Sequence, residues 1–403
     1  MNLWIYMMQS NKKTKNASDA LKIISLSLDP KMGEEGSAVR ERVRGYAENV
    51  DRFDTIYPSA VDIDEEENTR ASFFGVAGGN KFTKALKIYL KASHLMKKKE
   101  YTVITVQDIH FLAFIAFVLS RSFGVGLEVQ VHGIEKKNYF RNILAAFLFK
   151  HCNIIRIVSK RTRDELIDRF KIEQEKFIVV PIDPAFIPKN SSQNGPEFGS
   201  DIQKNIPSKK NSEKICFLTA GRLVPVKNIS MQIKAFAKVS SDYKESSLLI
   251  AGDGKEMKKL QKLAKSLSLE KSVVFLGWRK DMTEFYEKAD IFLFSSNSEG
   301  WGMAVVEACL FGLPVIMTRV GCADEFIIHE YNGLIVPVGD QEKMEEAMKR
   351  LIENFALRNT LARNARDSKQ LLISKEETIR LYKLSWLKAA NSCNLSKEGN
   401  ILE

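Results

Sequence analysis

Short apolar runs rich in Ile, Val, Leu and Phe recur along the chain and alternate with longer stretches whose apolar positions fall at helical spacing. In the first half, runs at 21–28, 52–57, 101–106, 127–131, 153–159 and 177–181 predict strands. Helical spacing occupies 38–48, 81–99, 111–122, 139–150 and 160–170. In the second half, strands are predicted at 214–220, 247–251, 272–276, 291–294, 314–317 and 334–336, with amphipathic helices at 341–355 and 376–390. Near-continuous apolar strands alternating with helices signify parallel, doubly wound sheets with both faces covered. Between the halves, 188–213 is rich in Ser, Asn, Gly, Lys and Pro and has too little apolar content to bury a core. The expected plan is a flexible lead-in (1–20), an amino-terminal α/β domain (21–188), a polar linker or insertion (189–213), a second α/β domain (214–375), a final helix (376–390) and a tail (391–403).

A chain of 403 residues with 44% apolar content supports two or three domains with full cores. The net charge of +11, leaning towards the amino-terminal half, suits anionic company: nucleic acid, a membrane surface or nucleotide phosphates. The helix at 81–99 carries Lys81, Lys84, Lys87, Lys91 and Lys98 largely on one face. Such a helix can lie on anionic headgroups, the bland alternative being a solvated lysine face. The acidic run 62–67 reads as a solvated loop. Cys152, Cys216, Cys309, Cys322 and Cys393 show no C-x-x-C spacing, which fits a reducing cytoplasm and no metal site. The opening 1–8 is apolar but lacks a preceding basic residue, and the run 111–119 is far short of the ~20 residues a spanning helix needs. A soluble or peripheral protein, cytoplasmic or at the inner face of a membrane, is expected.

The chemistry concentrates at 295–307. A buried strand at 291–294 runs into a loop punctuated by Gly300 and Gly302 and then into a helix starting at Met303. At such a joint in an open α/β sheet ligands bind, and the helix start offers free amide N–H groups to an anion. Glu299 can reach a ligand from the loop and Glu307 from the side of the helix. A second joint, Gly221-Arg222 to Lys227-Asn228, sets a planar guanidinium and a point charge on either side of the Pro225 turn, so both can close on one diphosphate. Loops after the first strand, carrying Gly33 and Gly36, and after the strand ending at His132-Gly133 lie where the ligand crevice of the first sheet should be. Asp108 and His110 are weaker candidates of the same kind.

The Glu299/Glu307 pair in its context Ser-Glu-Gly-Trp-Gly-Met…Glu-Ala resembles the paired-glutamate motif of the retaining glycosyltransferases of family four. The segments around Arg222 and Lys227, at His132-Gly133, at 251–254, at 273–278 and at 332–336 are similar to that family too, over roughly residues 21–370. The resemblance implies the GT-B fold, two Rossmann-like doubly wound domains facing a cleft. It implies a nucleotide-sugar donor held mainly by the second domain. Arg222 and Lys227, with Gly221, would hold the diphosphate; Glu307 the ribose hydroxyls; Glu299 the sugar hydroxyls. Backbone amides of Gly300, Trp301, Gly302 and Met303 would hold sugar and phosphate, Trp278 and Arg279 the base, and His132 would face the donor sugar, with the Gly33 loop approaching the acceptor or a diphosphate. The reaction would be a retaining, metal-independent sugar transfer from a UDP- or GDP-sugar to a glycan or lipid-linked acceptor in cell-surface polysaccharide or glycoconjugate synthesis. No nucleic acid or cofactor enters it. Cations and amides stabilise the leaving diphosphate, and Asp62-x-Asp64 is remote from a strand end. Three departures stand out: 180–186 lacks the family's Asn-Gly, Gly321-Cys322 replaces Gly-Gly, and Trp301 replaces Phe. The rival readings are a GT-B sugar-nucleotide epimerase and a degenerate sugar-nucleotide-binding partner subunit.

Overall fold

The computed structural model describes residues 20–66, 70–107, 109, 111–133, 139–182 and 215–399. The expected lead-in up to residue 19, Asp108, His110 and the polar linker lie outside these residues. The first sheet contains β1 (Lys22–Leu26), β2 (Arg52–Ser59), β3 (Ile63–Glu66), β4 (Ala71–Ala77), β5 (Val103–Val106), β6 (Gly126–Val131), β7 (Ile154–Ile157) and β8 (Phe177–Val179), in the order β3-β4-β2-β1-β5-β6-β7-β8. All pairings are parallel except β3 with β4. Helices α1 (Ala38–Ala47), α2 (Lys81–Lys98), α3 (Phe111–Phe123), α4 (Tyr139–His151) and α5 (Lys160–Phe170) alternate with these strands.

The second sheet is wholly parallel, with β9 (Cys216–Ala220), β10 (Ser247–Ala251), β11 (Val273–Gly277), β12 (Ile291–Phe294), β13 (Val315–Thr318) and β14 (Gly333–Val336) in the order β11-β10-β9-β12-β13-β14. Its helices are α6 (Ile229–Asp242), α7 (Met257–Ser266), α8 (Thr283–Lys288), α9 (Met303–Leu310), α10 (Gln341–Glu353) and α11 (Phe355–Asp367). Strand order reverses between β1 and β5 in one sheet and between β9 and β12 in the other, and those are the positions where loops diverge to open a crevice. Cores on both faces of each sheet, built from side chains such as Ile24, Leu127, Leu218 and Phe292, fix these edges in place.

Four details depart from the sequence reading. The acidic run is not a solvated loop: Ile63–Glu66 pairs antiparallel with β4, an edge strand that the sequence reading passed over. Its carboxylates bind the lysine-rich helix, Asp62 to Lys87 and Asp64 to Lys91, so part of that helix's charge is neutralised internally. The expected helix at 341–355 ends at Glu353, and the Asn354 side chain accepts from Leu357 N–H to start a second helix. The last helix, α12 (Lys375–Gly399), continues through most of the expected tail.

Helix α12 crosses back to the first domain, packing against β6, β7 and β8. A Cβ on Gly126 would lie 2.2 Å from the Ala389 carbonyl oxygen, so the bare backbone of β6 lets the helix lie against it. Beneath the crossing sits a fully buried carboxylate, Glu128. It accepts from Arg156 Nε at 2.9 Å, from Trp386 Nε1 at 3.2 Å, and from the hydroxyls of Ser385 and Thr105. The Arg156 guanidinium in turn stacks on Tyr382, 3.6 Å from the ring centroid.

Candidate active site

The cleft-facing ends of β9 and β12 bring the two predicted joints together. After β9 the chain turns through Pro225–Lys227, and Asn228 adopts a left-handed conformation at φ 47°. Asn297 N–H donates to the Val226 carbonyl at 2.7 Å, and Ser295 Oγ donates to the carbonyls of Lys227 and Asn228 at 2.9 and 3.0 Å. Gln232 Nε2, buried in α6, donates to Ser295 Oγ at 2.8 Å and so fixes that hydroxyl. The result is an ion pair between Lys227 Nζ and Glu299 Oε2, with Lys227 also 5.1 Å from the centroid of the Phe294 ring. Both partners are mostly shielded from solvent, at 17% and 22% side-chain exposure, so the pair is screened less than a surface bridge. Arg222 stands exposed on the same turn, and its side chain makes no hydrogen bond or ion pair among the described residues.

Gly302 begins α9 at φ 98°, a conformation that an L side chain adopts only under strain, and it leaves the first-turn amides without a side-chain cap. Gly321, at φ 56°, keeps a Cβ away from the Trp301 carbonyl, which a Cβ there would approach to 2.5 Å; the Cys322 N–H donates to that carbonyl at 2.8 Å. The Gly-Cys departure therefore retains the glycine that the turn requires. One turn further along α9, Glu307 accepts from Tyr286 Oη at 2.8 Å. Burial pushes the Glu307 carboxyl above its usual range and the Tyr286 hydrogen bond partly offsets this; burial, then the Glu307 charge, raise the Tyr286 phenol well above its own. Trp278 is 71% exposed beside Arg279 on the loop after β11, open to a planar group.

Across the cleft the first domain presents His132-Gly133 at the end of β6. A Cβ on Gly300 would lie 1.9 Å from the His132 carbonyl oxygen and 3.2 Å from Val158 Cγ2, so the two lobes meet at this glycine. His132 is exposed to the cleft, with protein filling only part of its surroundings. That partial desolvation, followed by the charges of Arg156 and Arg42, pushes its pKa down to about 4. The lobes meet again at α5, whose first amides, Lys160 and Arg161 N–H, donate to Glu325 at 3.0 and 3.1 Å, while Arg161 pairs with Asp324. A cleft of about 1040 Å³ opens beside these contacts, lined by Arg161, Glu165, Asn297, Glu299 and Gly321 among others.

The structure thus gathers Arg222, Lys227, Gly221, Glu299, Gly300, Trp301, Gly302, Met303 and Glu307 on one wall and sets His132 opposite. Gly33 lies on the turn after β1, where an added Cβ would meet the Tyr57 ring. Sequence reasoning missed Tyr286, which no motif marks, and the Ser295–Gln232 support, whose partners are far apart in the chain. It also missed Glu325, which lies just beyond the Gly321-Cys322 step. Among the described residues no cluster of His, Cys, Asp and Glu could hold a metal ion, and Cys152, Cys216, Cys309 and Cys322 are buried and free.

Two doubly wound parallel-sheet domains with their carboxyl edges turned to one cleft define a GT-B architecture. Residues 201–368 match the family described as glycosyl transferases group 1. Relatives of the chain include the N-acetyl-alpha-D-glucosaminyl L-malate synthase of Bacillus anthracis, 32% identical over 42% of this chain and 45% of that protein. The lipopolysaccharide core biosynthesis glycosyltransferase LpsE of Rhizobium meliloti is 32% identical over 38% of this chain and 43% of its own length. The chain thus matches less than half the length of each. Among solved structures, Anabaena HepE in complex with UDP-glucose superposes with a TM-score of 0.68 at 19% identity, covering 93% of this chain and 99% of that one. Sucrose-phosphate synthase from Thermosynechococcus elongatus gives a TM-score of 0.71 at 18% identity, covering 95% and 100%.

Proposed function

We propose that the protein is a retaining glycosyltransferase that moves a sugar from a UDP- or GDP-sugar to a glycan or lipid-linked acceptor. The observation that carries this reading is the Lys227–Glu299 pair, held at the switch point of the second sheet beside the uncapped start of α9 and the half-buried Glu307. In the bound state Lys227 turns from Glu299 to the donor diphosphate, joined by Arg222, and Glu299 is released to the sugar hydroxyls. Glu307 accepts from the ribose diol, Trp278 and Arg279 contact the base, and the α9 amides with the two cations stabilise the charge that grows on the departing diphosphate. These groups perform without a metal what a divalent ion would otherwise do. A Glu299 occupied by the sugar hydroxyls is not poised as a general base for direct displacement, which favours retention, with the acceptor entering past His132. Structures similar in fold carry UDP and UDP-glucose, which supports the donor class.

An acceptor on a membrane suits the apolar face of α2, where Phe82, Leu86 and Leu90 lie exposed one turn apart and Phe82 meets Phe111 edge-on. No helix among the described residues is long and apolar enough to cross a membrane, so the contact would be peripheral. Thermal-shift titration against UDP, GDP and ADP tests the donor assignment, because a ligand bound only by the folded chain raises its melting temperature. Stabilisation by one of the first two, lost in Glu307→Ala, is expected; an unchanged response in that variant overturns it. Product NMR must show a retained anomeric centre, and turnover must survive EDTA dialysis.

A further inference from the structure

Behind His132, on the first-domain side of the cleft, lies a cavity of about 50 Å³ that none of the roles above uses. By the same measure a single water needs roughly 10–15 Å³, so the cavity has room for a few waters or for one small charged group. Its polar lining comes from Arg42 of α1, Gln130 and His132 at the end of β6, Arg156 of β7, and Thr378 and Tyr382 of α12; Tyr46, Val158, Val180, Pro181 and Ile182 complete it. Its two arginines are not equivalent. Arg156 is neutralised by Glu128 through two hydrogen bonds, at 2.9 and 3.3 Å, so that charge is already spent. Arg42 makes no hydrogen bond or ion pair among the described residues, and its Nε is buried without a partner. Thr378, only 2% exposed, likewise has an Oγ1 that bonds to nothing among them.

A buried donor left unsatisfied is costly, and an unpaired guanidinium beside a cavity is costlier still unless an anion completes it. The donor phosphates cannot serve, since the groups that would hold them stand on the opposite lobe. We infer that this cavity is an acceptor subsite for a carboxylate or phosphate group, with Arg42 as its bidentate partner and Thr378 Oγ as a further donor. The inference rests on the glycosyltransferase reading for the word acceptor, and it narrows that acceptor from any glycan or lipid-linked molecule to one that carries an acid within reach of His132. The anion contributes charge recognition and no covalent chemistry; its place beside His132 holds the neighbouring hydroxyl near the donor sugar.

The test uses the full chain saturated with UDP, so that the diphosphate groups of the other lobe are occupied. Succinate and methyl phosphate are then titrated separately by calorimetry into the wild type, Arg42→Gln and Thr378→Val. Binding of one probe to the wild type, weakened about 10- to 100-fold in Arg42→Gln as expected for a charge-assisted hydrogen bond, supports the inference, and the probe that binds tells carboxylate from phosphate. Binding of neither probe, or equal binding by wild type and Arg42→Gln, overturns it. Thr378→Val conserves side-chain volume and provides the same comparison, on a smaller scale, if Arg42→Gln does not fold. The nucleotide reading fails separately: a chain that does not bind UDP refutes the donor site, whereas a chain that binds UDP normally and ignores both anions refutes only the acceptor subsite.

Discussion

Gly300 is where the two lobes come closest, and Gly300→Ala isolates the value of their meeting. Its backbone dihedral is not in the left-handed region, so alanine is acceptable to the chain itself and only the opposite lobe objects. The new Cβ would fall 1.9 Å from the His132 carbonyl oxygen, whereas real Cβ atoms essentially never come within 3.0 Å of another heavy atom. The lobes must therefore separate locally by the difference, about 1.1 Å. Misplacing reacting groups by ~1 Å costs on the order of 100-fold in rate, because the proximity gained by binding both substrates is lost. The groups proposed to hold the nucleotide lie on the second lobe alone, so the expected signature is a kcat/KM reduced about 100-fold with UDP affinity changed by no more than about twofold. Steady-state transfer kinetics and UDP calorimetry on the same preparation read the two quantities. A variant whose kcat/KM stays within about threefold of wild type would refute the argument that catalysis requires this closure.

Replacing Glu128 with alanine removes the acceptor shared by Arg156, Ser385, Trp386 and Thr105 and strands a buried guanidinium. A loss of about 3–5 kcal/mol in urea unfolding is expected, with α12 amides exchanging first; a loss below about 1 kcal/mol would show that the cluster does not anchor the helix. Tyr286→Phe deletes the hydrogen bond that holds the Glu307 carboxyl down, so that pKa should rise further and UDP affinity should fall about 5-fold at neutral pH and more below it; equal losses at pH 6 and 8 would contradict this. His132, whose folded pKa lies below that of the unfolded chain, should remain neutral through the physiological range. Its contribution to stability is complete above about pH 6.5 and is lost as pH falls towards 4, where the unfolded chain takes up the proton first. An NMR titration midpoint for its ring at or above 6.5 would remove the partial desolvation invoked for the cleft.

How much of this was legible in the sequence depended on whether the partners are neighbours in the chain. The donor wall is local: Arg222 and Lys227 follow one strand, and Glu299, Gly302 and Glu307 follow another. The alternation of strands and helices places both joints at the ligand edge of a parallel sheet, so the candidate site is legible in the sequence. The edge strand β3 was lost for the opposite reason. Ile63–Glu66 is polar because only one of its sides needs a partner, and its carboxylates are explained by lysines on a helix well downstream. The acceptor side fails in the same way on a larger scale, since its cavity draws on α1, β6, β7 and a helix near the other end of the chain. No spacing rule distinguishes Arg42 from Arg156. What distinguishes them is that Glu128 reaches one and not the other, and that Ser385 and Trp386 spend their hydrogen bonds keeping Glu128 there. Docking of the final helix therefore does more than close the fold. By committing Glu128 to Arg156 it leaves Arg42 as the charge facing the cavity, so the selectivity of the first lobe is tied to a helix whose sequence carries no sign of it.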